Sequence, residues 1–140
     1  MGDGTRKRYV LDTSALLAYY QDEEGADRVE RILDEAARRE ASVYVSFMTL
    51  FELAYLAMAA EGPEEALRLV LRIRELNLEE AWPDENMLWR AAAVKAGGGV
   101  SVADAFIAGL AAALEATLVH QDPEFAKLGG EIDQIFLAGP

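Results

Sequence analysis

Short β-branched and aromatic runs alternate with longer stretches of helical periodicity along this chain. Arg8–Leu11, Val43–Ser46 and Thr117–His120 read as strands, with Leu78–Trp82 and Gln134–Leu137 as shorter ones. Between them, Thr13–Gln21 reads as a helix. Ala26–Glu40 is an amphipathic helix that places Val29, Ile32, Leu33 and Ala36 on one side. Thr49–Ala60 is apolar nearly all round, which predicts a buried helix. Gly62-Pro63 stops one helix and starts the next, over Glu64–Leu76. Asp84–Ala96 and Ser101–Glu115 are helices separated by Gly97-Gly98-Gly99, and Pro123–Leu128 is a short one. Strand–helix alternation of this kind predicts an α/β fold with a parallel sheet covered on both faces.

Composition narrows the chemistry. The 140 residues read as a single domain spanning 1–140, long enough to bury a core without staples. Cysteine is absent and His120 is the one histidine. Thiolate sites, disulfides and multi-histidine zinc sites are therefore excluded, and serine–histidine catalysis would rest on a single residue. The first eight residues lack an apolar run of signal-peptide length, and no run of about 18 apolar residues occurs anywhere. No membrane partner and a cytoplasmic location are expected. The net charge of −12 would by itself argue against a nucleic-acid partner. Acids that bind a cation count as negative in that sum, however, and reverse their effect once it binds.

Four acids stand at matching places. Asp12 follows the first strand, Glu52 lies inside the helical run after the second, Asp104 opens the Ser101–Glu115 helix, and Asp122 follows Thr117–His120. Each has a structural reading. Asp12 can cap the helix that begins at Thr13, and Asp122-Pro123 is an N-cap followed by proline. Thr49-Leu50-Phe51-Glu52 and Ser101-Val102-Ala103-Asp104 match capping boxes. Capping does not require four acids on one sheet edge. Two unit charges 4 Å apart repel by about 4 kcal/mol at an effective dielectric near 20. A cap contributes only about 1 kcal/mol. A divalent cation removes the repulsion, and oxygen-only ligands suit Mg2+ or Mn2+. Such an ion polarises phosphoryl oxygens and activates water, which fits phosphodiester hydrolysis.

At these residues the chain resembles the PIN-domain nucleases, most closely the VapC-type ribonuclease toxins. The matching blocks are Val10-Leu11-Asp12-Thr13-Ser14-Ala15-Leu16-Leu17, Val45 to Leu53, Ser101 to Ala108, and Ala116 to Phe125. They keep order and spacing across almost the whole chain. The resemblance implies a three-layer α/β/α sandwich with a four- or five-stranded parallel sheet. It also implies a Mg2+- or Mn2+-dependent endoribonuclease acting on RNA. By matching position, Asp12, Glu52 and Asp104 would be the principal catalytic and metal-holding acids and Asp122 the fourth. Ser14, with Thr13 competing, would be the small polar residue bonded to an acid or a metal water. His120 stands where such proteins often carry a small hydroxyl, and reads as a strand-end residue facing the site rim rather than a general base. Toxins of this type usually form a homodimer, and a cognate antitoxin covers the acidic cleft. Some PIN domains instead act in RNA maturation, or only bind RNA or serve as scaffolds.

The bases offer docking surfaces for RNA. On a helical wheel Arg28, Arg31, Arg38 and Arg39 fall within roughly 100°. Arg68 and Arg72 are one turn apart, and Arg6, Lys7 and Arg8 lead into the first strand. Asp27, Glu30, Asp34 and Glu35 interleave with the first group, so a solvated, ion-paired face is the plainer reading. Tyr19, Tyr20, Trp82 and Trp89 can stack on bases, with core packing or a dimer contact as the plainer reading. Two other classes fit poorly. A dehalogenase-type phosphatase needs Asp-x-Asp, and position 14 is Ser. A phospho-receiver needs paired acids near strand one and a late lysine, where this chain has His120-Gln121-Asp122.

Overall fold

A computed structural model describes residues 6–138. Residues 1–5, on which part of the targeting reading rests, lie outside them. The elements are β1 (Lys7–Leu11), α1 (Thr13–Tyr20), α2 (Ala26–Ala37), β2 (Ala41–Ser46), α3 (Phe47–Glu61) and α4 (Pro63–Arg74). Then come β3 (Glu79–Ala81), α5 (Glu85–Ala96), α6 (Val102–Leu114), β4 (Thr117–His120), a 3-10 segment (Pro123–Glu131) and β5 (Gln134–Phe136). The five strands form one parallel sheet in the order β3-β2-β1-β4-β5.

Alternation along the strands divides the core in two, because successive side chains leave a strand on opposite faces. Tyr9, Leu11, Val43, Val45 and Val119 point to one face and pack with Leu16 of α1, Val29 and Leu33 of α2, Leu53 of α3 and Ile73 of α4. Val10 and Leu118 point to the other, among Met87 of α5, Ile107 and Leu110 of α6, and Phe125. Helices thus cover both faces, giving the three-layer α/β/α sandwich with five strands.

Two expectations change. The helix α3 is not buried all round: Leu50 and Leu53 enter the core, while Phe51, Tyr55, Leu56 and Met58 are exposed. It pairs with α4 as a helical hairpin, and only one of its faces reaches the sheet. The helix α2 stops at Ala37, and Arg39 turns the chain into β2 with φ +62°. Arg38 and Arg39 therefore leave the helical wheel that grouped them with Arg28 and Arg31. Among the described residues no helix is long and apolar enough to cross a membrane.

Candidate functional site

The strand order places a topological switch point between β1 and β4. From β1 the chain winds outward through β2 to β3, then crosses back to β4 on the other side of β1. Open α/β sheets bind ligands at the carboxyl ends of the strands beside such a point. Asp12 follows β1 and Asp122 follows β4, so the two acids flank it.

Asp12 is buried, at 3% exposure. It caps α1, its Oδ1 accepting the Ala15 N–H at 2.8 Å. Ser14 Oγ donates to both its oxygens, at 2.7 and 2.9 Å, and accepts the Gln121 N–H at 2.8 Å. Thr13 serves a different acid, donating to Glu52 Oε1 at 2.6 Å. Its Oγ also lies 3.2 Å from Thr49 Oγ1. The two hydroxyl residues that competed for one role thus hold two carboxylates.

Glu52 is not a capping residue. Helix α3 begins at Phe47, with Ser46 as its N-cap accepting the Met48 N–H. Thr49 is inside the helix and the box does not form. Asp104 does stand in the first turn of α6, where its N–H donates to Ser101 Oγ at 3.1 Å. Asp122 caps the 3-10 segment by accepting the Glu124 N–H at 2.9 Å. Capping and clustering therefore coexist at Asp12 and Asp122.

The electrostatics tie the acids together. Burial pushes Asp12 up to about 7, against the lowering effect of its bonds from Ser14 and Ala15, with the charges of Asp104 and Asp122 adding to the rise. Burial pushes Asp104 up to about 6, with Asp122 and Glu52 adding to it. Carboxylates raised by burial and by neighbouring acids are short of positive charge. Oxygen-only donors in that state fit a hard divalent cation. Among the described residues no group of three or more acids or histidines is already drawn into a ligand cage. The cluster is coupled through its field rather than closed around a point. Two surface hollows, of about 690 and 810 Å³, lie elsewhere and are not lined by these acids.

His120 does not face the rim. It is 2% exposed, with its ring against Phe125 and Phe136. Its Nε2 lies 2.8 Å from Gln134 Oε1, and its Nδ1 accepts the Asp122 N–H at 3.2 Å. Burial lowers its pKa, so it is neutral, and with both nitrogens engaged it is no general base. Gln134 stands in no motif of the sequence, and Gln121, although inside the Ala116–Phe125 block, has no role legible there. Gln121 Nε2 donates to Glu24 O at 2.7 Å, fastening the turn before α2 beside the acids.

The basic residues separate. Arg28 is exposed in the first turn of α2, at the helix end that follows the fastened turn. Arg38 and Arg39 precede β2 and so sit at the opposite sheet edge, roughly a strand length or about 20 Å away. Arg38 pairs with Glu40 and Arg68 with Glu65. Arg31 is exposed in mid-helix, and Arg72 is close enough to Tyr20 to act on its hydroxyl. Tyr19 and Tyr20 pack against the first core cluster, whereas Trp82, stacked on Phe47, and Trp89 are exposed.

The fold has solved counterparts. DNA-bound VapBC from Salmonella typhimurium is similar at 24% identity and TM-score 0.75, over 94% of this chain and 99% of that one. VapBC-1 from nontypeable Haemophilus influenzae is similar at 21% and 0.73, over 94% and 99%. VapBC2 from Rickettsia felis is similar at 19% and 0.72, over 91% and 97%. No curated protein matches the chain. The family model described as "PIN domain" matches residues 9–131, nearly the whole of the sandwich and all four acids, and the chain belongs to that family.

Proposed function

We propose that this protein is a Mg2+- or Mn2+-dependent endoribonuclease, the toxin of a toxin–antitoxin pair. The observation that carries the reading is the set of four carboxylates at the switch-point edge, two of them raised by burial and by the charges of neighbouring acids. Asp12, Asp104, Glu52 and Asp122 would hold the cation. When bound, it supplies Lewis acidity to a phosphodiester and lowers the pKa of water. Ser14 orients Asp12, and Thr13 orients Glu52. Arg28, in the first turn of α2, offers a contact for a flanking phosphate.

Partners follow from surface chemistry. Phe51, Tyr55, Leu56 and Met58 on α3, with Leu67 and Leu71 on α4, are exposed, as are Leu88 and Trp89 on α5. Apolar surface left open in this way marks interaction sites. It supports both a homodimer and an antitoxin, and the VapBC structures of similar fold include a member of a family of toxin–antitoxin systems from Mycobacterium tuberculosis. A cytoplasmic setting fits an RNA substrate.

A second reading, an RNA-binding or scaffold module without catalysis, draws on the open arrangement of the acids. Incubating total RNA with purified protein and Mn2+, with EDTA as control, separates the two. Cleavage that disappears in Asp104→Asn supports the nuclease. RNA binding without cleavage under any divalent ion supports the module.

A further inference from the structure

We propose that His120, locked by Gln134, is a positioning residue that fixes Asp122 in the acid cluster. The inference rests on the nuclease reading and concerns how its fourth acid is held. The Asp122 N–H can only donate, so His120 Nδ1 must accept it. The imidazole proton is therefore on Nε2 and donates to Gln134 Oε1 at 2.8 Å. Gln134 in turn cannot flip, because its Nε2 donates to Phe125 O at 3.0 Å. These three bonds define one tautomer of a buried ring, and Phe125 and Phe136 define its plane, at centroid distances of 4.8 and 5.5 Å.

The consequence falls on the loop after β4. Its first amide, at Gln121, is taken by Ser14 Oγ, and its second, at Asp122, by His120. The Asp122 carboxylate then turns back to accept the Glu124 N–H. Two successive backbone donors are thus held by side chains that also reach other parts of the site: Ser14 to Asp12, and His120 through Gln134 to β5. Serine, threonine and asparagine make the same bond to the amide two residues on. Histidine makes it and anchors the loop to the edge strand as well.

The test compares His120→Asn with His120→Leu in the full chain. Both lose the ring packing and the Gln134 bond. Only asparagine keeps an acceptor on Cγ for the Asp122 N–H. Mn2+ affinity is measured by calorimetry, kcat and KM on RNA separately, and folding by circular dichroism. The leucine variant is expected to bind Mn2+ about 10–100-fold more weakly and to lose a similar factor in kcat, with KM for RNA little changed. The asparagine variant should recover most of both, despite a thermal loss like that of leucine. If leucine prevents folding, Gln134→Leu leaves the ring in place and frees its tautomer, and should weaken Mn2+ binding several-fold. Equal impairment of His120→Asn and His120→Leu would reduce the ring to a packing role and overturn the proposal. So would wild-type affinity and kcat in His120→Leu, or wild-type Mn2+ affinity in Gln134→Leu where that variant stands in. A wild-type protein that neither binds Mn2+ nor cuts RNA would instead overturn the nuclease reading, and this inference with it.

Discussion

Asp12 shows how one residue serves as cap and charge together. Its carboxylate stabilises α1 through the Ala15 N–H, yet burial favours its protonated form and raises it to about 7. An acid whose folded pKa lies above its unfolded value of 3.8 binds its proton more tightly in the fold. Its contribution to stability is full below about pH 4 and is lost as pH rises through about 7. Asp104, raised to about 6, acts in the same sense. Thermal melts in EDTA should therefore show the midpoint falling between pH 4 and 7, beyond the change from other groups, and Asp12→Asn should flatten that fall. A midpoint that rises over this window equally in both proteins would contradict the raised pKa. Thr13 gives a second test at this scale. Thr13→Val removes the donor to Glu52 Oε1 while keeping the side-chain shape, so kcat on RNA should fall about 10–100-fold with the melting midpoint nearly unchanged. The positions of Asp12, Asp104 and Asp122 were legible in the sequence because each follows or opens an element, whereas Glu52 lies in the second turn of α3 and was legible only through its block of neighbours. The division of labour between Thr13 and Ser14 was not, since adjacent hydroxyls on one helical turn differ only in what the tertiary fold sets against them. His120 was misplaced for the same reason: its partner Gln134 lies in a strand of three residues with no motif around it.

The elements were read well where burial is one-sided and less well where it is not. Strand alternation and the amphipathic stripe of α2 place their residues in the core as expected. Helix α3 carries apolar residues on more than one face, and periodicity cannot distinguish a face buried in its own core from one left open. The end of α2 depends on a positive φ at Arg39, which no glycine announces. That boundary decides which arginines stay on the helix and which lead into β2. Arg28→Glu should weaken RNA binding and lower the slope of log affinity against log salt by about 1, whereas Arg38→Glu should leave both nearly unchanged. Equal effects from the two would mean that RNA spans both sheet edges. Helix contact offers another check. A Cβ on Gly109 of α6 would lie 2.7 Å from Ala91 N and 2.8 Å from Ala91 Cα of α5. Gly109→Ala should therefore destabilise the pair, although alanine is the better helix former by about 1 kcal/mol. Overpacking of about 1–3 kcal/mol would leave a net loss of up to a few degrees in the melting midpoint, and Gly109→Val should cost more.

At the scale of the whole molecule, the net charge of −12 and the expected binding of a polyanion meet in the cation. Without it, the acids at the switch point repel one another and RNA alike. With it, the repulsion there would be largely relieved and an exposed cation presented to a phosphate, and the distant negative charges are screened beyond about 10 Å at 0.1 M salt. The same ion should act as a stability ligand, because the unfolded chain offers no comparable cluster. At about 100 times its Kd, one bound ion adds roughly 2.7 kcal/mol, and for a domain of this length each kcal/mol moves the midpoint by about 2–4 °C. Mg2+ or Mn2+ should thus raise the midpoint by roughly 5–11 °C at pH 7.5. The rise should shrink toward pH 5, where Asp12 and Asp104, raised to about 7 and about 6, hold protons that the ion must displace. Asp12→Asn should melt higher than wild type in EDTA at pH 7.5, since the buried charge is gone, and should respond less to the ion. If the acids serve only as caps, the pattern is different: no response to divalent ions at either pH, and a midpoint for Asp12→Asn that is unchanged or lower. Differential scanning calorimetry of the two proteins, with and without Mn2+ at the two pH values, distinguishes these outcomes without recourse to an RNA substrate.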